Sequence, residues 1–167
     1  MTDALENGKL KRGNKILLSA AEKLNRLNAA ESDLETAWKQ GGSQEVLYFL
    51  EELRFLKTVS SIETAREKGR YIEAVDRTTN LQESVSNNVN RLTRVGGLWM
   101  ELGKSKEAEK TYQAALELDP QATDAILGMA GWMEWQGKPK AAARYLQSAY
   151  EETQDPALGM ALATLRL

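Results

Sequence analysis

"GLWMELGKSKEA", residues 97–108, is answered by "GWMEWQGKPKAA", residues 131–142. Gly97 and Gly131, Gly103 and Gly137, Lys104 and Lys138, and Ala108 and Ala142 each stand 34 positions apart. A fixed interval of this length marks a stacked array, in which each unit buries its apolar face against the next. Within each copy the apolar and small residues fall at i, i+3, i+4 and i+7, which share one helix face. Each copy therefore predicts two helices. Gly103 and Gly137 end the first helix, because glycine takes the left-handed conformation that stops it. Pro139 falls in the first turn of the second helix, where its missing N–H is harmless. Asp119-Pro120 and Asp155-Pro156 read as cap-plus-proline starts of the helices that follow.

Residues 89–122 carry Leu92, Val95, Gly96 and Trp99 at the spacing W-x2-L-G-x2-Y. Ala108 and Tyr112 follow as A-x3-F, then Ala115, and Pro120 closes the unit. Residues 123–156 hold Ile126, Met129, Ala130, Met133, Gly137, Ala142, Leu146 and Ala149 at the same offsets, with Pro156 two places late. This pattern resembles the tetratricopeptide repeat. A third, degenerate copy spans 55–88, in phase at Gly69 and Ala74 but with Thr58, Ser61 and Thr78 at positions usually apolar or small. Gly96 and Ala108 are small where the two helices of a repeat cross closely. A larger side chain at Ala108 is expected to cost about 1–3 kcal/mol by overpacking.

The first third is helical but out of phase. Leu17, Ala20, Leu24, Leu27, Leu34 and Trp38 form a stripe that Glu31 interrupts, and a Ser32…Glu35 capping box predicts a restart there. "QGGS" breaks the chain at 40–43. A second stripe, Val46, Phe49, Leu50, Leu53, Leu56 and Val59, predicts one long helix from about Gln44 to Lys68. The fold class is thus all-α, an α-solenoid forming one domain. It would comprise an N-terminal helical cap (1–54), a degenerate repeat (55–88), two repeats (89–122 and 123–156) and a C-terminal capping helix (157–167). That last helix is apolar around most of its circumference, with Leu158, Met160, Leu162, Leu165 and Leu167. A terminal repeat usually turns a polar face outward, so this end is an expected surface for a partner or for self-association.

Composition removes several functions. The 167 residues contain no cysteine and no histidine, which excludes thiolate and imidazole chemistry. The carboxylate neighbours Glu51-Glu52, Glu107-Glu109 and Glu151-Glu152 diverge on a helix and converge on nothing. Gly96-Gly97 lies within a helical pattern and lacks the lysine of a phosphate loop. No catalytic role, cofactor or metal is expected. Net charge is −2. The one basic cluster, Lys9, Lys11, Arg12 and Lys15, has no interleaved aromatics, so an RNA-binding helical repeat is the weakest alternative. No apolar run approaches the length of a membrane helix. The start mimics a signal peptide, but its apolar run is short and ends at Glu22. A cytoplasmic location is expected.

The resemblance implies an adaptor or scaffold that binds a peptide or protein segment in a concave groove lined by the first helix of each repeat. Carried onto this chain, the groove positions are Asn90, Thr93, Gly97, Met100 and Glu101, then Asp124, Leu127, Gly131, Glu134 and Trp135. Leu158, Ala161 and Leu165 follow from the last helix, and Arg94 joins at a neighbouring position. The result is mostly apolar and weakly acidic, with Gly97 and Gly131 leaving room for a ligand backbone. Trp135 is the expected anchor. Trp99 occupies a buried position, Trp38 closes the N-terminal stripe, and Trp132 has no assigned side. The two-carboxylate clamp known in this family needs Lys, Asn and Arg where this chain has Val59, Glu63, Arg94, Asp124 and Gly128. One repeat on, those positions hold Thr93, Gly97, Gly128, Leu158 and Leu162, so neither set is a clamp. A secretion or assembly chaperone holding a hydrophobic client segment is the rival reading, on architecture alone.

Overall fold

A computed structural model describes residues 25–165. Leu17, Ala20, Leu24, Leu167, the basic cluster and the leader-like start lie outside the described residues. The chain divides into two compact units at Lys68/Gly69, inside the stretch expected to form the degenerate repeat.

The first unit contains α1 (described over 25–39) and α2 (Gln44–Glu67), joined by a turn in which Gly41 takes φ 92°. The expected restart at Ser32 does not occur. The helix runs through, and the Ser32 carbonyl accepts a bond from Thr36 Oγ1 within it. Glu31 interrupts the apolar stripe because it faces α2, where Lys57 Nζ and Arg54 Nε (3.1 Å) both donate to it. Arg54 also reaches Glu35 at 2.7 Å. These two donors, Lys57 first, hold the Glu31 carboxyl below its ordinary range. The long helix appears as expected, but its buried residues are Leu50, Phe55, Val59, Ile62 and Ala65. Phe49 and Leu56, read as members of the stripe, are exposed. Tyr48 and Phe49 meet edge-on at 5.8 Å on the outside. Trp38, expected to close the apolar stripe, is 37% exposed.

The second unit holds α3 (Tyr71–Ser84), α4 (Val89–Glu101), α5 (Ser105–Leu118), α6 (Thr123–Trp135), α7 (Pro139–Thr153) and α8 (Pro156–Thr164). α4 packs on α5 and α6 on α7 as hairpins. α5 and α7 pack in turn on α6 and α8, so α4, α6 and α8 lie side by side. The two repeat glycines work alike. Gly103 (φ 70°) donates to Met100 O while Lys104 N donates to Trp99 O. Gly137 (φ 72°) and Lys138 make the same pair of bonds to Glu134 O and Met133 O. Each pair is a Schellman motif, which satisfies carbonyls that a helix end would otherwise orphan. The core runs from Leu92, Val95 and Trp99 through Ala108 and Ala115 to Ile126, Ala130, Ala142, Leu146 and Leu158. Trp99 is buried, and its indole N–H donates to Gln82 Oε1, which also accepts from buried Thr111. Trp132 turns back to α5, donating to Ser105 O and Oγ at 2.9 Å each, with Lys138 Nζ 6.0 Å over its ring.

The two Asp-Pro pairs play different parts, contrary to the uniform expectation. Asp155 caps α8, accepting from Ala157 N at 2.8 Å with Pro156 in the first turn. Asp119 instead ends α5 and accepts from Gln121 N, and Ala122 stands at the start of α6. Four residues (119–122) therefore link α5 to α6, whereas two (154–155) link α7 to α8. Gln154 enters the left-handed region (φ 55°, ψ 25°) to make that tight link. Asp155 also accepts from the Thr123 hydroxyl, tying the start of α8 to the start of α6. The Thr123 and Ala157 donors hold the Asp155 carboxyl below its ordinary range.

Candidate binding groove

α4 and α6 turn the same alternation of residues toward and away from the core. On α6, Ala125, Ile126, Met129 and Ala130 are buried, while Asp124, Gly131, Glu134 and Trp135 are exposed and Leu127 is half-buried against the core. On α4, Leu92, Val95, Gly96, Leu98 and Trp99 are buried. Asn90, Arg94 and Glu101 are exposed, and Thr93, Gly97 and Met100 are half-buried. Of the eleven expected positions on these two helices, Leu127 packs partly on the core and the Thr93 hydroxyl is buried, while the other nine lie outside the buried stripe. Trp135 is 59% exposed, and no atom lies within 4 Å of where a Cβ on Gly131 would stand. At Gly97 only the Tyr112 hydroxyl comes that near, at 3.9 Å.

α8 corrects the expectation. Leu158 is fully buried with Ile126, Ala130, Ala142 and Leu146, and Ala161 leans on the same cluster with Leu162 and Leu165. Neither Leu158 nor Leu165 lines a groove, and Ala161 faces largely inward. The reason is the short 154–155 link. Leu158, Ala161, Leu162 and Leu165 reproduce the spacing of Ile126, Met129, Ala130 and Met133 at an offset of 32, not 34. The exposed residues of α8 include Met160, Ala163 and Thr164.

The residue that sequence reasoning under-read is Tyr112. Expected only as the last residue of the A-x3-F spacing, it packs against Gly96 of α4, where a Cβ would come within 2.6 Å of its ring. Its ring also lies against α6, 2.3 Å from where a Gly128 Cβ would stand. Tyr112 therefore wedges between α4 and α6, through gaps that two glycines leave. Only 5% of it is exposed. Burial, reinforced by the charge of Glu101 and opposed by that of Arg94, pushes its hydroxyl pKa up. The available signal was the pairing of Gly96 with Gly128, 32 positions on, flanking one large aromatic.

Among the described residues no group of three acidic, His or Cys side chains is placed to hold a metal. No described helix is long and apolar enough to cross a membrane.

Residues 99–165 match the tetratricopeptide repeat family. No curated protein matches the chain. Among solved structures, the second TPR domain of human RPAP3, in complex with the HSP70 peptide SGPTIEEVD, superposes with a TM-score of 0.51. It is 15% identical, over 70% of this chain and 98% of that one. The Arabidopsis OM64 TPR domain superposes at 0.49 with 20% identity, over 68% of this chain and 94% of that one. At 15% identity the likeness to the RPAP3 domain is one of fold.

Proposed function

Taking residues 99–165 as tetratricopeptide repeats, we propose that the chain is a protein–protein interaction module. Its α4–α6 face holds a peptide or protein segment without catalysis, as an adaptor does. The observation that carries this reading is Trp135. A large aromatic more than half exposed, beside an unobstructed glycine and on the side of α6 away from the core, has no structural task of its own. Exposed aromatics of this kind anchor interfaces. Leu127 and Met100 extend the apolar floor, and Asp124 and Glu134 add acidic groups at the edge. The fitting ligand is therefore an apolar segment with a cationic residue near it.

The RPAP3 peptide SGPTIEEVD is rich in acid at its end. The positions at which the family's two-carboxylate clamp is expected hold Val59, Glu63, Arg94, Asp124 and Gly128 here rather than a Lys, Asn and Arg set. SGPTIEEVD is expected to give no saturable heat in titration calorimetry with peptide in large excess. A saturating isotherm abolished by Arg94→Ala would mean that a clamp exists after all.

The direct test is photo-crosslinking in the cells from which the chain comes, with a crosslinking residue at position 135 and a control at Lys110, exposed on α5. A defined heterologous adduct from 135 and none from 110 is the expected outcome, and its mass identifies the ligand. A product of twice the monomer mass would mean that this face serves self-assembly. No adduct from either position would remove Trp135 from any binding role.

A further inference from the structure

Between α7 and α8 lies a trough of about 500 Å³. Its α7 side is one helix stripe, Lys140, Ala143, Arg144, Gln147 and Glu151, spaced i, i+3, i+4, i+7 and i+11, and Leu162 of α8 closes the other side. The preceding repeat shows what such a place receives. Ala130 of α6 is 3% exposed and shares one cluster with Ala142 and Leu146, because α7 packs over it. Leu162 stands at the matching position of α8, 32 residues on, yet it is only half-buried and opens on the trough. The repeat pattern therefore calls for a helix there, carrying an apolar stripe as α7 does. Charge narrows the choice further. Lys140 and Arg144 are exposed one turn apart against a single carboxylate, Glu151, so the fitting helix is acidic beside its apolar stripe.

The chain itself carries such a helix face. On α2, Tyr48, Phe49 and Leu56 are each at least half exposed, at i+3, i+4 and i+11 from exposed Glu45, with exposed Glu51 on the flank. Three large apolar side chains on one exposed helix face form a patch of the kind that marks an interaction site. We infer that α2 of a second copy docks in the α7–α8 trough. Its Tyr48, Phe49 and Leu56 cover Ala143 and Leu162, and its Glu45 and Glu51 face Lys140 and Arg144. This is a helix laid by its apolar face into a groove. Because the two faces differ, the contact is heterologous, and every copy can supply one face and accept the other. The inference is independent of the α4–α6 reading, since neither face includes the exposed side of those helices.

Sedimentation velocity on the whole chain, from micromolar to millimolar concentration at low salt, tests it. The wild type is expected to self-associate as concentration rises. Phe49→Asp spoils the α2 face alone, and Lys140→Glu with Arg144→Glu spoils the trough alone. All three positions are exposed, so the unfolding midpoints should match that of the wild type, and Leu56→Asp takes the place of Phe49→Asp if its midpoint falls. Each variant alone should associate at least roughly tenfold more weakly than the wild type, since an uncompensated charge then meets an apolar or like-charged surface. Mixed one to one, the two variants should recover a dimer, because an intact α2 face on one meets an intact trough on the other. A wild type that stays monomeric throughout overturns the inference. So does a variant of either face that associates as the wild type does, which would place the contact elsewhere. A mixture that stays monomeric while the wild type associates would mean that like faces meet, and the pairing of α2 with the trough is then wrong.

Discussion

Gly128→Ala is expected to destabilise the second unit by about 1–3 kcal/mol, the cost of forcing extra volume into a packed contact. Alanine at Gly131, three residues on, is expected to stabilise it by about 0.5–1 kcal/mol, since glycine is the poorer helix former. Both residues lie inside α6, so helix propensity favours alanine equally at each. Surroundings decide the sign. A Cβ at 128 would stand 2.3 Å from Tyr112 Cε1 and 2.7 Å from its Cζ, in a ring already backed by Gly96 on the other helix. A Cβ at 131 meets nothing within 4 Å. Urea unfolding followed by circular dichroism reads both effects. In a Tyr112→Ala background the penalty at Gly128 should vanish and the substitution become stabilising. Equal effects at 128 and 131 would mean that the Tyr112 wedge is not the contact that matters. The groove test runs the other way. Gly131→Ala should fold better yet bind a groove peptide less well, because its methyl stands where a ligand backbone would lie.

Leu158→Ala should cost about 2–5 kcal/mol, the range for truncating a fully buried leucine in a core that cannot collapse onto the cavity. Met160→Ala, on the exposed side of the same helix, should change stability by no more than about 0.5 kcal/mol. The contrast decides the register of α8. At a strict interval of 34, Leu158 would face the groove beside Asp124, and its loss would reduce binding while sparing stability. With α8 drawn in by the two-residue link, Leu158 takes the place in the core that Ile126 holds one repeat earlier. A Leu158→Ala chain as stable as the wild type would restore the 34-residue register and return Leu158 to the groove.

The features legible from sequence were those in which a residue's own backbone or its near neighbours set the outcome. Gly103 and Gly137 stop their helices because only glycine takes φ near +70° without strain, and the bonds that follow reach back five residues at most. The 34-residue interval and the helical hairpins follow from the same short-range periodicity. What sequence reading missed lies between elements. Glu31 interrupts its stripe because Lys57 and Arg54 donate to it across the hairpin. Trp132 had no assigned side until Ser105 met its N–H. The same Asp-Pro pair ends one helix at 119–120 and begins another at 155–156, because Asp155 also has Thr123 to bind.

Periodicity by itself determined that this chain is an all-α array of helical hairpins, while the face on two of its helices was implied only by the resemblance to the tetratricopeptide repeat. Only tertiary structure decided that Leu158 is core and that Tyr112 wedges between α4 and α6. Each of those depends on a distance between helices, and that distance is set by linker length and by which glycines face each other.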